Sequence, residues 1–382
     1  MKENNKKRIL FCIDAFNGGG AERILLEILS NIDRNNFDAD LIVIRSLGQL
    51  KENFGKLGHY KTVLPKYYGR KNNNIFLRAY NYLIDTVWKA IVFRYPNLVI
   101  SNKYDYVIAY LESEATLFCS NVRLKKTGKK YAWIHCDVEK AEKWLNGIYG
   151  SKKAQFEVYQ KYDNIFCVSQ SVKDSFIKRF NAINNTKVKV LYNPVDDEKI
   201  KRLAAEELDF AWSHDLKIIA IGRLTPQKNT NRALLVMNEL LRNGIDAELV
   251  VLGEGNERDE LESFICEHQL NGRIHLIGFK ENPYPYLASA DIYLCTSDYE
   301  GFSTTATEAL IIGKPIVTTP CAGMEEIIDD SECGKIASFA PSELAKAIIS
   351  ISEDLEGYSE RAKSRGNGFS LAKRMDEFQS IF

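Results

Sequence analysis

An open α/β architecture is what this sequence predicts, and three stretches predict it. Each is an apolar, β-branched run, then a glycine turn, then a helix start. Residues 8–16 lead through Gly18-Gly19-Gly20 into a helical pattern over 22–30. Residues 217–221 lead through Gly222 and Pro226 to Asn229 or Thr230 as a cap. Residues 290–297 lead through Gly301 to the cap types Ser303, Thr304 and Thr305, then to a helix over 306–312. Such runs read as buried strands. Glycine lets the chain turn sharply and lets backbone approach a ligand. Loops at the carboxyl ends of parallel strands, next to free N–H groups of helix starts, are where open α/β folds bind anions.

At 382 residues the chain predicts two or three domains of about 150 residues each. No run of 18 apolar residues occurs, so a spanning helix is excluded. The first residues are basic and then apolar, but Asp14 and the glycine turn break the run, so it reads as a strand rather than a signal peptide. The eight cysteines form no C-x-x-C and several lie in apolar runs, which fits free thiols in a reducing cytoplasm. Net charge is zero, yet residues 1–195 hold 32 basic and 18 acidic side chains, a net of +14, and residues 196–382 hold 19 and 33. Either the first half meets a negative partner or the halves complement each other.

Along the chain, residues 37–45 form the next strand. Its Asp38-Ala-Asp40 is a D-x-D at the strand's start, the wrong end for a ligand, and reads as a chance match. Residues 65–97 interleave aromatic and basic side chains, and 74–94 has helical periodicity. Ile75, Phe76, Tyr80, Leu83, Val87, Trp88 and Ile91 form an apolar face, with Arg70, Lys71, Arg78, Lys89 and Arg94 nearby. Such a helix lies in a membrane interface, lines an acceptor groove or packs as core. Strands over 104–110, 129–133, 165–169 and 188–192 follow. Glu112, Ser113 and Glu114 end one of them, and His135 follows another. Cys136 beside His135 makes no zinc site, since adjacent residues do not easily share one metal. Residues 196–216 read as a charged linker. Strands at 248–252 and 273–277 end in the turns Gly253-Glu254-Gly255 and Gly278-Phe279-Lys280, and 342–352 and 371–382 read as helices.

The stretch Glu300-Gly-Phe-Ser-Thr-Thr-Ala-Thr-Glu308, followed by Ala309-Leu310, Gly313-Lys314-Pro315 and Val317, resembles the E-x7-E signature of retaining glycosyltransferases of family 4. Two glutamates alone would fit solvated residues on a capped helix, but the full pattern is specific. Gly222-Arg223-Leu224 through Lys228-Asn229 is similar to the family's G-R-L-x-x-x-K-(N/G) loop, and Gly18 to Arg23 to its glycine turn. Asn193-Pro194-Val195-Asp196 is similar to its hinge, and His135 to its donor-sugar histidine.

The resemblance spans nearly the whole chain and implies the GT-B fold, two Rossmann-like lobes with parallel sheets facing a central cleft. It implies an acceptor-side domain over 1–193, a nucleotide-sugar domain over 194–365, and a helix over 366–382 crossing back to the first. Arg223 and Lys228 would neutralise the donor's diphosphate, Glu308 would hold the ribose, and Glu300 the donor sugar. Ser303, Thr304 and Thr305 would offer backbone N–H groups. Glu254, Phe279 and Lys280 would lie near the nucleotide, and His135 with Gly18, Gly19 and Gly20 would complete the site. The implied donor is a nucleotide diphosphate sugar, a UDP-sugar favoured, with no cofactor and no metal. Implied partners are a saccharide acceptor, lipid-linked in bacterial surface polysaccharide synthesis, and an anionic membrane touched peripherally from the cytoplasm. Ser303-Thr304 stands where many family members have Gly-Leu, which leaves the donor sugar open. A catalytically silent partner subunit and a nucleotide-sugar epimerase share the fold. The intact charged motif disfavours the first, and the missing RNA motif disfavours a nucleic-acid binder.

Overall fold

The structure, a computed structural model, describes residues 6–58, 60–64, 75–101 and 104–382, and of residues 75–81 the backbone alone. The chain divides into two compact units, one of residues 1–192 with 375–382, the other of residues 193–374.

The first unit is built on a sheet of β1 (Lys7–Ile13), β2 (Phe37–Arg45), β3 (Tyr60–Leu64), β4 (Tyr106–Ala109), β5 (Lys129–Ile134), β6 (Asn164–Cys167) and β7 (Val188–Val190). Their order is β3-β2-β1-β4-β5-β6-β7, and every pairing is parallel. The reversal of strand order between β1 and β4 puts the ends of β1, β4 and β5 beside one another. Its core is aromatic. Phe11, Tyr110 and Trp133 are buried, and Phe378 packs on Phe11 at 6.3 Å and on Trp133 at 5.6 Å. The helix Leu371–Gln379 thus adds its last turn to this unit.

The second unit has a six-stranded parallel sheet of β8 (Leu216–Ile221), β9 (Ala247–Leu252), β10 (Ile274–Gly278), β11 (Ile292–Cys295), β12 (Ile316–Thr318) and β13 (Gly334–Ile336). The order is β10-β9-β8-β11-β12-β13, with its reversal between β8 and β11. Leu234, Met237 and Leu240 of the helix Thr230–Arg242 pack with Ile218, Leu249 and Leu294 into one apolar core.

One expectation fails here. Residues 196–216 are not a linker throughout, because Asp197–Ala204 is a helix. Asp196 caps it, accepting from the Lys199 N–H at 2.9 Å, and Asp197 and Glu198 at its start with Lys201 and Arg202 at its end suit the helix dipole. Ile200 alone is buried, so the apolar signal was too small to register. The helix Leu355–Gly366 also went unread. Gly366 lets it approach the backbone of Leu310, where a Cβ would lie 2.1 Å from the carbonyl oxygen.

Of the aromatic-basic stretch, residues 65–74, with Arg70 and Lys71, and the side chains of Ile75, Phe76, Arg78 and Tyr80 lie outside the described residues. The helix Ile75–Arg94 is present, with Val92 and Phe93 buried. Leu83, Val87 and Ile91 are not core, being 60%, 50% and 40% exposed. Arg45 pairs with Asp85, Lys89 with Glu114, and Trp88 donates to the Val63 carbonyl, so the other side of the helix is fixed to the unit. Among the described residues no helix is long and apolar enough to cross a membrane, and all eight cysteines are free.

Candidate active site

In the second unit, the turns after β8 and β9 zip together. Gly222 N–H donates to the Leu252 carbonyl at 2.9 Å, and Leu224 N–H to that of Glu254 at 3.0 Å. Gly253 is required, because it has φ +141° and a Cβ there would lie 1.8 Å from the Gly222 carbonyl oxygen. This zipping leaves Arg223 exposed on the loop. Lys228 lies at the loop's end, before Asn229, which caps the helix Thr230–Arg242 in the left-handed region at φ 46°.

Lys228 meets Glu300. Its Nζ stands 2.5 Å from Glu300 Oε1, which also accepts from Ser297 Oγ at 2.5 Å. Burial would depress the Lys228 ammonium, but the Glu300 carboxylate outweighs it and holds the pKa above the ordinary lysine value. Glu300 is buried at the end of the β11 turn. Ser303 caps the helix Thr304–Ile312, its Oγ accepting from the Ala306 N–H at 3.2 Å. The first N–H groups of that helix, on Thr304 and Thr305, have no intrahelical partner to give to and face an anion favourably. Glu308 lies one turn further in, and Tyr284 Oη donates to its Oε1 at 3.1 Å.

The other residues expected on the nucleotide side are placed as follows. Glu254 pairs with Arg258 at 2.8 Å, and Lys280 with Asp209 at 2.6 Å, while Phe279 is partly exposed. The Lys280 pKa is raised, first by its hydrogen bond to Asp209.

In the first unit, Gly19 caps the helix Gly20–Asn31, with Gly18 in the turn before it. A Cβ on Gly19 would fall 2.6 Å from Glu22 Oε2. His135 follows β5, and its N–H donates to Glu112 Oε2 at 2.8 Å. The ring lies 4.8 Å from that of Tyr110. Burial lowers its pKa to about 3, against a hydrogen bond to the Tyr110 backbone, so the imidazole is neutral at physiological pH. Its Nε2 is buried and meets no hydrogen-bond partner among the described residues. Burial also raises Glu112, and raises Asp14 to about 6 despite hydrogen bonds that include the Ala115 N–H at 2.7 Å. The Asp38-x-Asp40 pair faces Arg8, at 3.5 Å from each carboxylate, and Tyr104 donates to Asp40, which makes it a structural ion cluster. Among the described residues no three His, Cys, Asp or Glu side chains gather as a metal site.

The structure therefore brings Arg223, Lys228, Glu300, Ser303, Thr304, Thr305 and Glu308 to the carboxyl ends of β8 and β11, and His135 and the Gly18–Gly20 turn to those of β5 and β1. Sequence reasoning missed Ser297, Tyr284, Asp14 and the role of Glu112. Ser297 carried a signal, a polar residue closing an apolar strand three positions before Glu300.

Residues 207–368 match the family described as Glycosyl transferases group 1, and residues 18–199 match Glycosyltransferase Family 4. The chain belongs to this glycosyltransferase family, with the GT-B fold. It is 32% identical over 221 residues to the N-acetylgalactosamine-N,N'-diacetylbacillosaminyl-diphospho-undecaprenol 4-alpha-N-acetylgalactosaminyltransferase of Campylobacter jejuni. That match covers 56% of this chain and 59% of the relative's own length. A GDP-mannose-dependent alpha-(1-6)-phosphatidylinositol dimannoside mannosyltransferase of Mycobacterium tuberculosis is 28% identical over 208 residues, 53% of each chain. In fold, the chain is similar to HepE of Anabaena, solved with UDP-glucose. The TM-score is 0.73 at 18% identity, over 98% of this chain and 100% of the other.

Proposed function

We propose that this chain transfers a hexose-type sugar from a nucleotide diphosphate sugar, a UDP-sugar favoured, to a lipid-linked saccharide, with retention of anomeric configuration and without a metal. The observation that carries the reading is the 2.5 Å contact between Lys228 and Glu300. It sets a cation suited to a diphosphate directly beside a carboxylate suited to sugar hydroxyls. Arg223 on the same loop adds a planar fork for phosphate oxygens. Glu308, one turn into its helix, serves the ribose hydroxyls, and Tyr284 orients it.

In the reaction the bond from the sugar's anomeric carbon to the β-phosphate oxygen breaks, and the acceptor oxygen bonds to that carbon on the same face. The acceptor's proton passes to a phosphate oxygen of the departing diphosphate. Charge builds on that diphosphate as the bond breaks, and Arg223 and Lys228 stabilise it most at that moment. In the first unit, His135 is neutral and its Nε2 meets no hydrogen-bond partner among the described residues, so it is suited to accept from a hydroxyl. Support for the lipid-linked acceptor comes from the Campylobacter relative, whose name gives a diphospho-undecaprenol substrate. Support for UDP comes from the HepE complex with UDP-glucose. A basic first half with exposed Leu83, Val87 and Ile91 suits peripheral contact with an anionic leaflet from the cytoplasmic side.

The test is a panel of nucleotide sugars read by shift in melting temperature, followed by transfer to a lipid-linked acceptor and NMR of the product's anomeric proton. Stabilisation by UDP-sugars with an α-linked product from an α-linked donor is expected. No shift with any nucleotide sugar refutes the reading.

A further inference from the structure

Lys228 does not hold its own place. It stands before Asn229 in the left-handed region, a conformation asparagine tolerates and its surroundings here impose. The groups that impose it come from the β11 turn and from the first turn of the helix Thr230–Arg242. Thr296 Oγ1 donates to the carbonyl oxygens of Lys228 and Asn229, at 3.2 and 3.0 Å. Asp298 N–H donates to the Gln227 carbonyl at 2.9 Å, and Gln227 Nε2 returns a bond to the Tyr299 carbonyl at 3.0 Å. Asn229 Nδ2 donates to Asp298 at 3.3 Å.

Arg232 joins these pieces. One arm of its guanidinium donates to the Thr296 carbonyl at 2.5 Å and the other to Asp298 Oδ1 at 2.7 Å. Its side chain is 13% exposed, and the group lies over the Phe339 ring at 5.0 Å. The bonds of Arg232 and Asp298 thus fasten residues 227–229 to residues 296–299, and none of them touches the Lys228 side chain. The first fastened segment contains Lys228, and the second runs directly into Glu300.

We propose that Arg232 and Asp298 form a brace that sets where the Lys228 ammonium stands against Glu300, so that both are positioning residues for the donor's diphosphate. The proposal rests on the donor-site reading above. A fork that grips a backbone carbonyl and a carboxylate at once cannot be reproduced by lysine, whose ammonium is a single point. Asp298 is half-exposed, so the charge attraction alone is weak and the geometry carries the effect.

The experiment is a double-mutant cycle on UDP affinity, by calorimetry, using the full chain. Arg232→Lys and Asp298→Asn should each weaken UDP binding about tenfold, the scale of coupling within one hydrogen-bonded network. In a Lys228→Ala background the same changes should add less than about twofold, because the group they position is gone. A loss that only reflected loosened structure would persist in that background. Each variant's melting temperature is recorded alongside. Should Arg232→Lys fail to fold, Asp298→Asn, which keeps the shape of the side chain, decides the matter alone. Full additivity with Lys228→Ala, or unchanged affinity in the folded single variants, overturns the brace and leaves the donor site standing. Wild-type protein that binds no UDP or other nucleotide diphosphate overturns the donor site itself.

Discussion

The carboxyl ends of the two sheets use the same strand, turn and helix geometry and arrive at opposite electrostatics. In the second unit, the ends of β8 and β11 carry Arg223 and Lys228, with Glu300 ion-paired to the lysine. In the first unit, the ends of β1, β4 and β5 carry Asp14, Glu112 and a neutral His135, all shifted by burial. The net charges of the two halves run the other way, +14 for residues 1–195 and −14 for the rest. Bulk charge therefore says nothing about a site's sign. A few side chains at strand ends decide it, one end suited to phosphate and the other to uncharged hydroxyls.

The comparison breaks most sharply at Glu300. Glu300→Gln keeps the shape but loses the charge that the proposed reading sets at the sugar, so transfer should fall on the order of 10²-fold or more. UDP affinity should stay close to wild type. Equal loss of UDP affinity, measured by calorimetry, would move Glu300 from the sugar to the diphosphate. Arg223→Ala and Lys228→Ala come next. Each removes a charge-assisted hydrogen bond, about 1.5–3 kcal/mol, or roughly 10- to 100-fold in UDP affinity, with a further drop in rate. Activity should persist in EDTA, and a strict need for Mn²⁺ or Mg²⁺ would sink the metal-free reading.

What the sequence made legible was the repeating unit of strand, turn and helix, because burial on both sheet faces writes near-continuous apolar runs. The charged motif was legible too, since Glu300, Glu308, Arg223 and Lys228 lie close to glycines and caps that fix where they point. The support was not. Arg232 reaches Thr296 and Asp298 across more than sixty positions, and no local pattern encodes such a contact. The same holds for Tyr284 on Glu308. The neutral state of His135 depends on burial, which comes only from folding. The helix Asp197–Ala204 went unread for the opposite reason, since it is stabilised by caps and charges with hardly any apolar face.

The buried groups of the first unit sharpen the contrast through pH. His135 has its folded pKa lowered from 6.5 to about 3, so the stability it contributes is complete above pH 6.5 and is lost as pH falls toward 3. Asp14 has its folded pKa raised from 3.8 to about 6, so its contribution is complete below pH 3.8 and is lost as pH rises through 6. Between pH 4 and 6 the two slopes oppose. Asp14→Asn should expose the histidine's slope, steepening the loss of stability toward acid, and should raise the melting temperature at pH 7. The rise of the Asp14 pKa from 3.8 to about 6 bounds that gain at about 3 kcal/mol. His135→Asn should do the reverse over the same range. Melting temperatures of the three proteins from pH 4 to 8 check both signs, and parallel curves would mean that neither group is shifted.

The smallest expected effect concerns what the basic half does, if not bind phosphate at its strand ends. Leu83, Val87 and Ile91 lie exposed along the helix Ile75–Arg94, and the described basic side chain Arg94 is exposed at its end. Interfacial helices hold by apolar burial plus attraction to anionic lipid, at about 1 kcal/mol per basic side chain near the surface. Reversible binding without a spanning helix follows, and it should depend on both components. In sedimentation with liposomes, binding should rise with the fraction of anionic lipid and fall with salt. Replacing Leu83, Val87 and Ile91 together by serine should remove the apolar component, and replacing Arg70, Lys71 and Arg78 by glutamine the electrostatic one. Each triple change should lower partitioning several-fold, while UDP affinity, read in the same preparations, stays unchanged because the proposed donor site lies in the other unit. Binding that ignores lipid charge, salt and both triple changes would leave the charge of the first half without a membrane role and point to a soluble acceptor.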